Sequence, residues 1–390
     1  MEGDFITINN SLRPLSWIYG AAVRLRNFCF DVGILKSRSF HVPVIAVGNI
    51  TVGGTGKTPH VEYLIRMLKD NFRVAVLSRG YKRKTRGFVL ADDDSTVTDI
   101  GDEPYQMKQK FGAEISVAVD KKRVHGIERL TTDDKTLDVV LLDDAFQHRY
   151  VKPGVNILLV DYHRLIIHDA LLPAGRLREP LKGKDRADIV IVTKCPKGLK
   201  PMDFRVLTRT MNLFPYQQLF FTTLIYDDMK ALFSDDTRPL SCITADENVM
   251  LLTGIASPQQ MEADLTPLTD NLTPLTFGDH HRFSRKDVGR INSTFDAMPA
   301  PKCIITTEKD AVRIKNVEGL SDDVRRNIYA LPVRISFALP EQETKFNENI
   351  IGYVRKNSRN SILAKGKDDY KPKDSHSAGN RTRTISFRNF

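Results

Sequence analysis

The chain has 390 residues, of which 41% are apolar and 27% charged, a composition typical of a globular protein with room for two domains. Its formal net charge is +10, but residues 355–390 hold ten Lys or Arg against three Asp, which leaves only +3 elsewhere and argues against a general nucleic-acid surface. The four cysteines are scattered without a CxxC pair, which argues against a zinc site or a disulfide framework and fits a reducing compartment.

The N-terminal segment is amphipathic. It lacks a basic start followed by an apolar core, so no signal peptide is expected, and no stretch approaches about 18 uninterrupted apolar residues, so no transmembrane helix is expected. Residues 13–31 predict one helix with a narrow polar stripe and a broad apolar face around Trp17, the only Trp. Two interpretations stay open: the helix packs on the core, or it lies in a membrane interface.

An apolar run at residues 44–47 leads into a glycine-rich turn that ends in Gly-Lys-Thr, the pattern of a P-loop. Such a turn cradles phosphates, with the lysine on the outer phosphates and the threonine hydroxyl on Mg²⁺. The pattern therefore predicts binding of a nucleoside triphosphate, and a strand–helix turn that carries these residues by chance is the alternative. Thr51 stands where the general motif has glycine. The predicted phosphate-binding residues are Thr51, Val52, Gly53, Gly54, Thr55, Gly56, Lys57 and Thr58.

Strands alternating with helices predict an α/β fold with a parallel, doubly wound sheet. Strands are expected at 73–78, 114–119, 137–142, 155–160 and 187–193, with helices at 59–70 and 102–111. A β-rich run at 219–226 is expected to connect two lobes, and a smaller second α/β domain is predicted from strands at 249–253, 274–277, 302–306 and 328–335. The predicted domains are an N-terminal helix with its lead-in at 1–42, a P-loop domain at 43–215, the second domain at 216–354 and a basic disordered tail at 355–390.

Acidic residues follow the predicted strand at 137–142. Asp143 and Asp144 stand at its carboxyl end, where ligands bind in open α/β sheets, and they resemble the acidic end of a Walker B strand that positions Mg²⁺ directly or through water. Which of the two contacts the metal stays open, and a strand-ending turn or helix cap is the alternative. Asp102, at the start of a predicted helix, is a candidate general base, and an N-cap is an equally good interpretation.

Histidines and arginines complete the set of candidate side chains. His280 and His281 follow an aspartate in a loop, so one imidazole is a candidate for deprotonating an alcohol, with a structural or merely exposed pair as the alternative.

The arginines lie in two loops. A loop bounded by Pro and Gly carries Arg176 and Arg178, whose forks suit phosphates, and Glu179, a candidate Mg²⁺ ligand. Arg79 lies in a basic loop after the strand at 73–78 and is a candidate for an anionic substrate, with a solvated charge run as the alternative.

In chain order these segments resemble the tetraacyldisaccharide 4′-kinase family, the lipid A 4′-kinases. Thr51, unusual in a general P-loop, is usual in that family, whereas Ala145 replaces the glycine of the family's Asp-Asp-Gly-Phe-Gln-His. The resemblance spans roughly residues 14 to 335, and the tail after Lys356 lies outside it. The matching segments are 47–59, 77–81, 101–104, 142–148, 172–180, 253–256, 279–281 and 307–310.

The resemblance implies a reaction in which the γ-phosphoryl group of ATP passes to the 4′-hydroxyl of an acylated glucosamine disaccharide 1-phosphate, in lipid A biosynthesis. It implies Asp102 as the base on that hydroxyl, assisted by His280 or, less favoured, His281, with Lys57 on the transferred phosphate. The implied Mg²⁺ ligands are Thr58, Asp143, Asp144 and Glu179, and the implied substrate-phosphate ligands are Arg79, Arg176 and Arg178.

The acyl chains of such a substrate lie in a bilayer, so the resemblance favours the membrane interpretation of residues 13–31. It implies a peripheral enzyme on the cytoplasmic face of the bacterial inner membrane. No nucleic-acid partner is expected from the charge distribution, and no obligate protein partner is evident from the sequence. Two rival functions are a P-loop ATPase of the partition or metallochaperone type and a nucleotide-gated membrane-binding module. Neither rival explains the downstream Arg/Glu and Asp-His-His segments.

Overall fold

The computed structural model describes residues 8–255, 258–279 and 281–358. These residues divide into two units, each with its own sheet: the P-loop unit comprises 8–223 and 335–358, and the small unit comprises Leu224–Arg334. From residue 359 onward, the predicted disordered tail lies outside the described residues.

Fifteen strands and eleven α-helices are defined within the described residues. The strands are β1 (Val44–Gly48), β2 (Val74–Ser78), β3 (Val89–Leu90), β4 (Ser116–Val119), β5 (Val139–Asp143), β6 (Val155–Asp161), β7 (Ile189–Thr193), β8 (Gln218–Tyr226), β9 (Met229–Ala231), β10 (Thr237–Arg238), β11 (Asn248–Thr253), β12 (Asn271–Thr276), β13 (Lys302–Thr307), β14 (Ile328–Leu331) and β15 (Val333–Phe337). The helices are α1 (Arg13–Asp31), α2 (Lys57–Leu68), α3 (Val97–Ile100), α4 (Asp102–Phe111), α5 (Arg123–Asp133), α6 (Pro201–Met211), α7 (Gln259–Leu265), α8 (Arg285–Asp296), α9 (Glu308–Ile314), α10 (Asp322–Asn327) and α11 (Pro340–Asn357).

The sheet of the P-loop unit confirms the predicted doubly wound α/β fold. Its strand order is β15–β8–β7–β6–β1–β5–β2–β4–β3, and all pairings from β8 to β4 are parallel. Strands β1, β2, β5 and β7 are buried along their whole length, which explains their continuous apolar runs. After β1, strands β2 to β5 lie on one side of β1 within the sheet, and strands β6 to β8 lie on its other side. Strand β1 therefore ends at the point where the strand order reverses, which is where such sheets bind ligands.

Helix α1 has the bounds that the sequence predicts, but its two faces are used in an unexpected way. Its buried residues are Ser16, Gly20 and Phe30, so the polar stripe faces the protein. A Cβ on Gly20 would lie 2.7 Å from Leu171 Cδ1, so a larger residue here would require the Leu171 side chain to shift. The apolar residues of the other face are exposed, at 54% for Leu15, 71% for Trp17, 69% for Ile18, 65% for Leu25 and 57% for Phe28. No helix in the described ranges is long and apolar enough to cross a bilayer.

The sheet of the small unit has the order β10–β9–β14–β13–β11–β12. Strands β11 to β14 pair in parallel, and β9 and β10 run antiparallel to their neighbours. Strand β12 begins at Asn271, three residues before the predicted start at Pro274. The predicted start matches the usual place of proline at the first residue of a strand, whereas β12 is an edge strand and accommodates Pro274 in its interior.

The boundary between the units differs from the predicted one at both ends. The single strand predicted at 328–335 is two strands, β14 in the small unit and β15 beside β8 in the other sheet, because Pro332 interrupts the run. The unit boundaries fall at 223/224 and 334/335 rather than at 215 and 354. Helix α11 belongs to the P-loop unit, since the Tyr63 hydroxyl of α2 lies 2.9 Å from both Glu343 Oε1 and Asn347 Oδ1, each of which can accept its proton.

Phe346 tests this assignment of α11. It is 2% exposed and its ring lies 5.4 Å from Phe220 and 5.1 Å from Phe337. Phe346→Ala should therefore lower the free energy of unfolding by about 3–5 kcal/mol, measured by urea unfolding followed by circular dichroism. Phe214→Ala, at a ring that is 48% exposed, is the control and should cost less than about 1 kcal/mol. Equal effects of the two changes would contradict the assignment.

Candidate functional site

The P-loop joins the end of β1 to the start of α2. Gly53 and Gly56 have φ of +121° and +77°, in the region that favours glycine, and Gly56 is the last residue before the helix. Lys57 and Thr58 form the first turn of α2, so the backbone N–H groups and the positive end of the helix face the loop. This is the geometry of an anion site, and it lies at the carboxyl end of a central strand, as the sequence predicts.

Thr51 has a structural reason to replace the glycine of the general motif. It is 4% exposed, and Asn49 Nδ2 lies 3.4 Å from its hydroxyl and 2.8 Å from the hydroxyl of Thr55. The hydroxyl of Thr193, at the end of β7, donates to the Thr55 carbonyl at 3.1 Å. The loop is therefore fixed by side-chain hydrogen bonds in addition to its glycines.

His60, which the sequence analysis missed, holds the far end of the P-loop. Its Nδ1 lies 2.7 Å from the Gly56 carbonyl and its Nε2 lies 3.0 Å from Thr222 Oγ1 in β8. Burial lowers the pKa of His60 to about 4, so the ring is neutral near pH 7. A neutral imidazole that donates through Nδ1 satisfies both contacts.

Asp143 and Asp144 form an acidic pair at the end of β5. Asp144 Oδ1 lies 3.6 Å from Lys57 Nζ and 3.4 Å from Arg178 Nη1. Burial would raise the pKa of Asp144, but the charges of Lys57 and Arg178 lower it overall. Burial raises the pKa of Asp143, and the nearby carboxylates of Glu103 and Asp144 add to that effect. Asp144 is therefore the charged, cation-paired member, and Asp143 is short of positive charge.

Arg123, also missed from the sequence, is buried behind the acidic pair. Its Nη2 donates to the Asp143 carbonyl at 3.0 Å and its Nη1 donates to the Asp120 carbonyl. Burial lowers the pKa of Arg123 to about 10, so the guanidinium stays charged at neutral pH. Its charge partly compensates Asp143 while its hydrogen bonds fix the turn after β5.

The acidic pair fits Mg²⁺ by the chemistry of its oxygens. Asp143 Oδ1 is buried and has no hydrogen-bond partner among the described residues. Those residues contain no group of three His, Cys, Asp or Glu side chains arranged to hold a metal, so Asp143, Asp144 and Glu179 do not form one cluster. Mg²⁺ is commonly held by one or two carboxylates together with substrate phosphates and water, so a third carboxylate is not required.

Glu179 has a different environment in the structure. It is buried, its Oε2 accepts from Arg186 Nη2 at 2.8 Å, and Asn27 Nδ2 lies 3.4 Å from the same oxygen. Its Oε1 is buried and has no hydrogen-bond partner among the described residues, so its role as a metal ligand stays a prediction.

The Arg176–Arg178 segment is tied directly to the P-loop. The N–H of Val52 donates to the Arg176 carbonyl at 2.8 Å, and the N–H of Arg178 donates to the Ile50 carbonyl at 2.7 Å. The exposed Arg176 side chain reaches the P-loop, since its Nη1 would lie 3.8 Å from a Cβ placed on Gly53. The fold therefore brings together two segments that the sequence predicts to bind phosphate, the P-loop and the Arg176–Arg178 segment.

Asp102 and Arg79 lie on neighbouring segments. Asp102 is the first residue of α4 and is half-buried, while Gly101, with φ of +92°, occupies the cap position. The structure therefore does not support the N-cap interpretation of Asp102. A Cβ on Gly101 would lie 2.8 Å from the Tyr81 carbonyl, so the loop that carries the exposed Arg79 packs against the start of α4.

The small unit carries the histidine segment. His281 Nε2 lies 3.0 Å from Asp287 Oδ2, and its ring stacks on Phe277 with centroids 4.8 Å apart. Asp287 also accepts from Ser284 at the start of α8, and this hydrogen bonding lowers its pKa to about 2. His280 lies outside the described residues. The choice between the two histidines therefore stays open.

The buried His60 predicts a pH dependence of stability. Its pKa is about 4 in the folded protein and about 6.5 in an unfolded chain, so protonation of the unfolded state removes stability as pH falls from 6.5 toward 4. His60→Gln should reduce the loss of unfolding free energy between pH 7 and pH 5 by about 2 kcal/mol, measured by urea unfolding. His41→Gln, at an exposed histidine, is the control. An unchanged pH dependence in His60→Gln would contradict the neutral, buried imidazole.

Comparison with known proteins places the chain in a family. A family model described as tetraacyldisaccharide-1-P 4′-kinase matches residues 8–354. A tetraacyldisaccharide 4′-kinase from Phocaeicola vulgatus is 57% identical over 365 residues, which cover 93% of this chain and 99% of that one. One from Porphyromonas gingivalis is 42% identical over 355 residues, covering 89% and 98%.

A solved structure is similar over the same range. The crystal structure of LpxK from Aquifex aeolicus in complex with ATP aligns with a TM-score of 0.67 and 30% identity, over 89% of this chain and 99% of that one. The match includes both sequence and fold across nearly the whole length. The chain therefore belongs to the tetraacyldisaccharide 4′-kinase family.

Proposed function

We propose that this chain transfers the γ-phosphoryl group of ATP to the 4′-hydroxyl of an acylated glucosamine disaccharide 1-phosphate, a step of lipid A biosynthesis. Its family consists of kinases of this name, and a relative of known structure is described in complex with ATP. The observation that carries the proposal is the pair of backbone hydrogen bonds between the P-loop and the Arg176–Arg178 segment. These bonds hold the Arg176–Arg178 segment beside the P-loop, which supports a second set of phosphate-binding cations next to the nucleotide.

The chemistry requires one proton transfer and charge stabilisation. The 4′-oxygen forms a bond to the γ-phosphorus, the bond from that phosphorus to the ADP oxygen breaks, and the hydroxyl proton leaves. We assign the proton to the Asp102 carboxylate, which is accessible at the start of α4 beside the loop that carries Arg79. The help expected from His280 or His281 stays a prediction.

Charge on the phosphates is met by residues of the P-loop unit. Lys57, which lies 3.6 Å from Asp144, is positioned for the outer phosphates, and Arg178, Arg176 and Arg79 supply cations for substrate phosphate. Mg²⁺, when bound, neutralises phosphate charge. Its proposed ligands are Thr58, Asp143 and Asp144.

The partner surface proposed for helix α1 is a bilayer. Trp17 and Ile18 are about 70% exposed (71% and 69%), and Leu25 and Phe28 extend the same apolar face. An exposed apolar helix face that lies parallel to a membrane buries such side chains among acyl chains. The acylated substrate lies in the same layer, so we place the enzyme peripherally on the cytoplasmic face of the inner membrane.

The function is tested by transfer of ³²P from ATP to a lipid-linked disaccharide 1-phosphate in detergent micelles. Labelled lipid, extractable into organic solvent, is the expected product. ATP hydrolysis without labelled lipid would contradict the kinase function and favour the P-loop ATPase alternative. Binding of vesicles without either reaction would favour the nucleotide-gated membrane module.

Asp102→Asn tests the proposed base. The amide keeps the size of the side chain but does not accept the proton, so turnover should fall by about 10²-fold or more while ATP binding is retained. Asp322→Asn is the matched control, because Asp322 is also the first residue of a helix, α10 in the small unit. Turnover of Asp102→Asn within a few-fold of wild type would mean that Asp102 is structural.

The double change Trp17→Ser/Ile18→Ser tests the membrane surface. Loss of two exposed apolar side chains that insert into a bilayer removes about 3 kcal/mol of transfer free energy, so association with vesicles of phosphatidylethanolamine and phosphatidylglycerol should weaken tenfold or more. Phe214→Ser removes an exposed aromatic ring elsewhere in the P-loop unit and should leave co-sedimentation unchanged. If the two variants bound vesicles equally well, the proposal that α1 contacts the membrane would be wrong.

A further inference from the structure

The inward face of α1 contacts the loop that carries the phosphate-binding arginines. The Ser16 hydroxyl donates to the Leu171 carbonyl at 2.9 Å and accepts from the Ala174 N–H at 3.0 Å. The Tyr19 hydroxyl donates to the Arg178 carbonyl at 2.8 Å. These contacts join residues that are more than 150 positions apart in sequence. The polar stripe of α1 is therefore a specific contact surface for this loop.

Arg178 is the residue on which these contacts converge. Its carbonyl accepts from Tyr19, its N–H donates to Ile50 in the P-loop, and its guanidinium lies 3.4 Å from both carboxylate oxygens of Asp144. Burial raises the pKa of the Tyr19 phenol, with a further contribution from Glu179, so the hydroxyl remains a donor. A change at Tyr19 therefore acts on the backbone that orients the Arg178 side chain.

A second contact leads from α1 to the P-loop through the turn after the acidic pair. Arg26 Nη2 donates to the Gln147 carbonyl at 3.0 Å, and Gln147 Nε2 donates to the Asn49 carbonyl at 2.6 Å. Arg149 adds a bond to the Asn27 carbonyl at 3.0 Å. Helix α1 therefore contacts two segments, the arginine loop and the turn after β5, and each of them also contacts the P-loop.

We propose that the inward face of α1, through Tyr19 and Ser16, positions Arg178 for phosphoryl transfer, so that the helix that faces the membrane also organises the substrate side of the site. Tyr19 and Ser16 are positioning residues, since they act through Arg178 and its loop. This inference rests on the proposed function. The two faces of α1 then have different functions: the outward face binds the membrane, and the inward face determines the rate of phosphoryl transfer.

Tyr19→Phe tests the proposal in the full-length protein. It removes one hydroxyl, keeps the ring, and should lower kcat of ³²P transfer about fivefold, which corresponds to about 1 kcal/mol for one hydrogen bond. KM for ATP should stay within twofold and vesicle association should be unchanged. The matched control is Tyr216→Phe, because Tyr216 also donates to a backbone carbonyl, that of Asp185 at 2.6 Å, away from the site. Its kcat should equal that of wild type.

A double-mutant cycle shows whether Tyr19 acts through Arg178. In an Arg178→Ala background, adding Tyr19→Phe should change kcat by less than twofold, because the side chain that Tyr19 orients is gone. A merely structural role would reduce kcat fivefold in both backgrounds, and that result would overturn the proposal. Single-turnover measurements keep slow variants quantifiable.

Ser16→Ala provides an independent second variant. It removes the other contact of α1 with the same loop and should also lower kcat with unchanged vesicle association, and its thermal unfolding reports that the protein is folded. Wild-type kcat in both Tyr19→Phe and Ser16→Ala would overturn the inference. Failure of the proposed function is a different result, since wild-type protein would then label no lipid at all.

Discussion

Two adjacent carboxylates at the end of a buried strand are the constraint on which the site depends. Asp143 is buried and Asp144 is partly buried, so the pair brings two carboxyl groups to a place where unpaired charge is unfavourable. Lys57 and Arg178 face Asp144, and Arg123 holds the backbone behind Asp143. Each of these cations comes from a different segment, so the need for charge compensation draws the P-loop helix, the arginine loop and α5 to the end of β5.

The parts of the fold that depend on local pattern could be predicted from the sequence. Helix α1 follows from polar residues at helical spacing, and the central strands follow from apolar runs, because a strand covered on both faces needs no alternation. The strand at 328–335 could not be resolved, because its apolar residues suit either sheet. Only contacts with β8 and β13, distant in sequence, decide that Pro332 separates two strands. Likewise, the sequence shows the polar stripe of α1 but not the loop that the stripe contacts.

The roles of charged residues in the site also depend on contacts that are distant in sequence. Sequence motifs identify the P-loop, the acidic pair and the arginine loop, because phosphate binding requires certain residue types at short spacing. Arg123 and His60 carry no such spacing, and their importance comes from burial beside Asp143 and Gly56. Glu179 adds a further case: its motif predicts a metal ligand, which stays a prediction, and the fold places Arg186 on its Oε2, a contact that no motif names. Residue type can be inferred from sequence, but the partner of a buried charge depends on the tertiary structure.

The turn after β5 explains why alanine is accommodated at position 145. Asp144 has a φ of +47°, in the left-handed region that Asp adopts more readily than most residues other than glycine, whereas Ala145 is not among the described residues with positive φ. Glycine is therefore not required at 145, and the added methyl group is buried in the core beside β1. The close approach falls instead at Gly48, where a Cβ would lie 2.8 Å from Phe146. The left-handed backbone of Asp144 is part of the turn in which its carboxylate lies 3.6 Å from Lys57 Nζ and 3.4 Å from Arg178 Nη1, so this turn joins β5 to both the P-loop helix and the arginine loop.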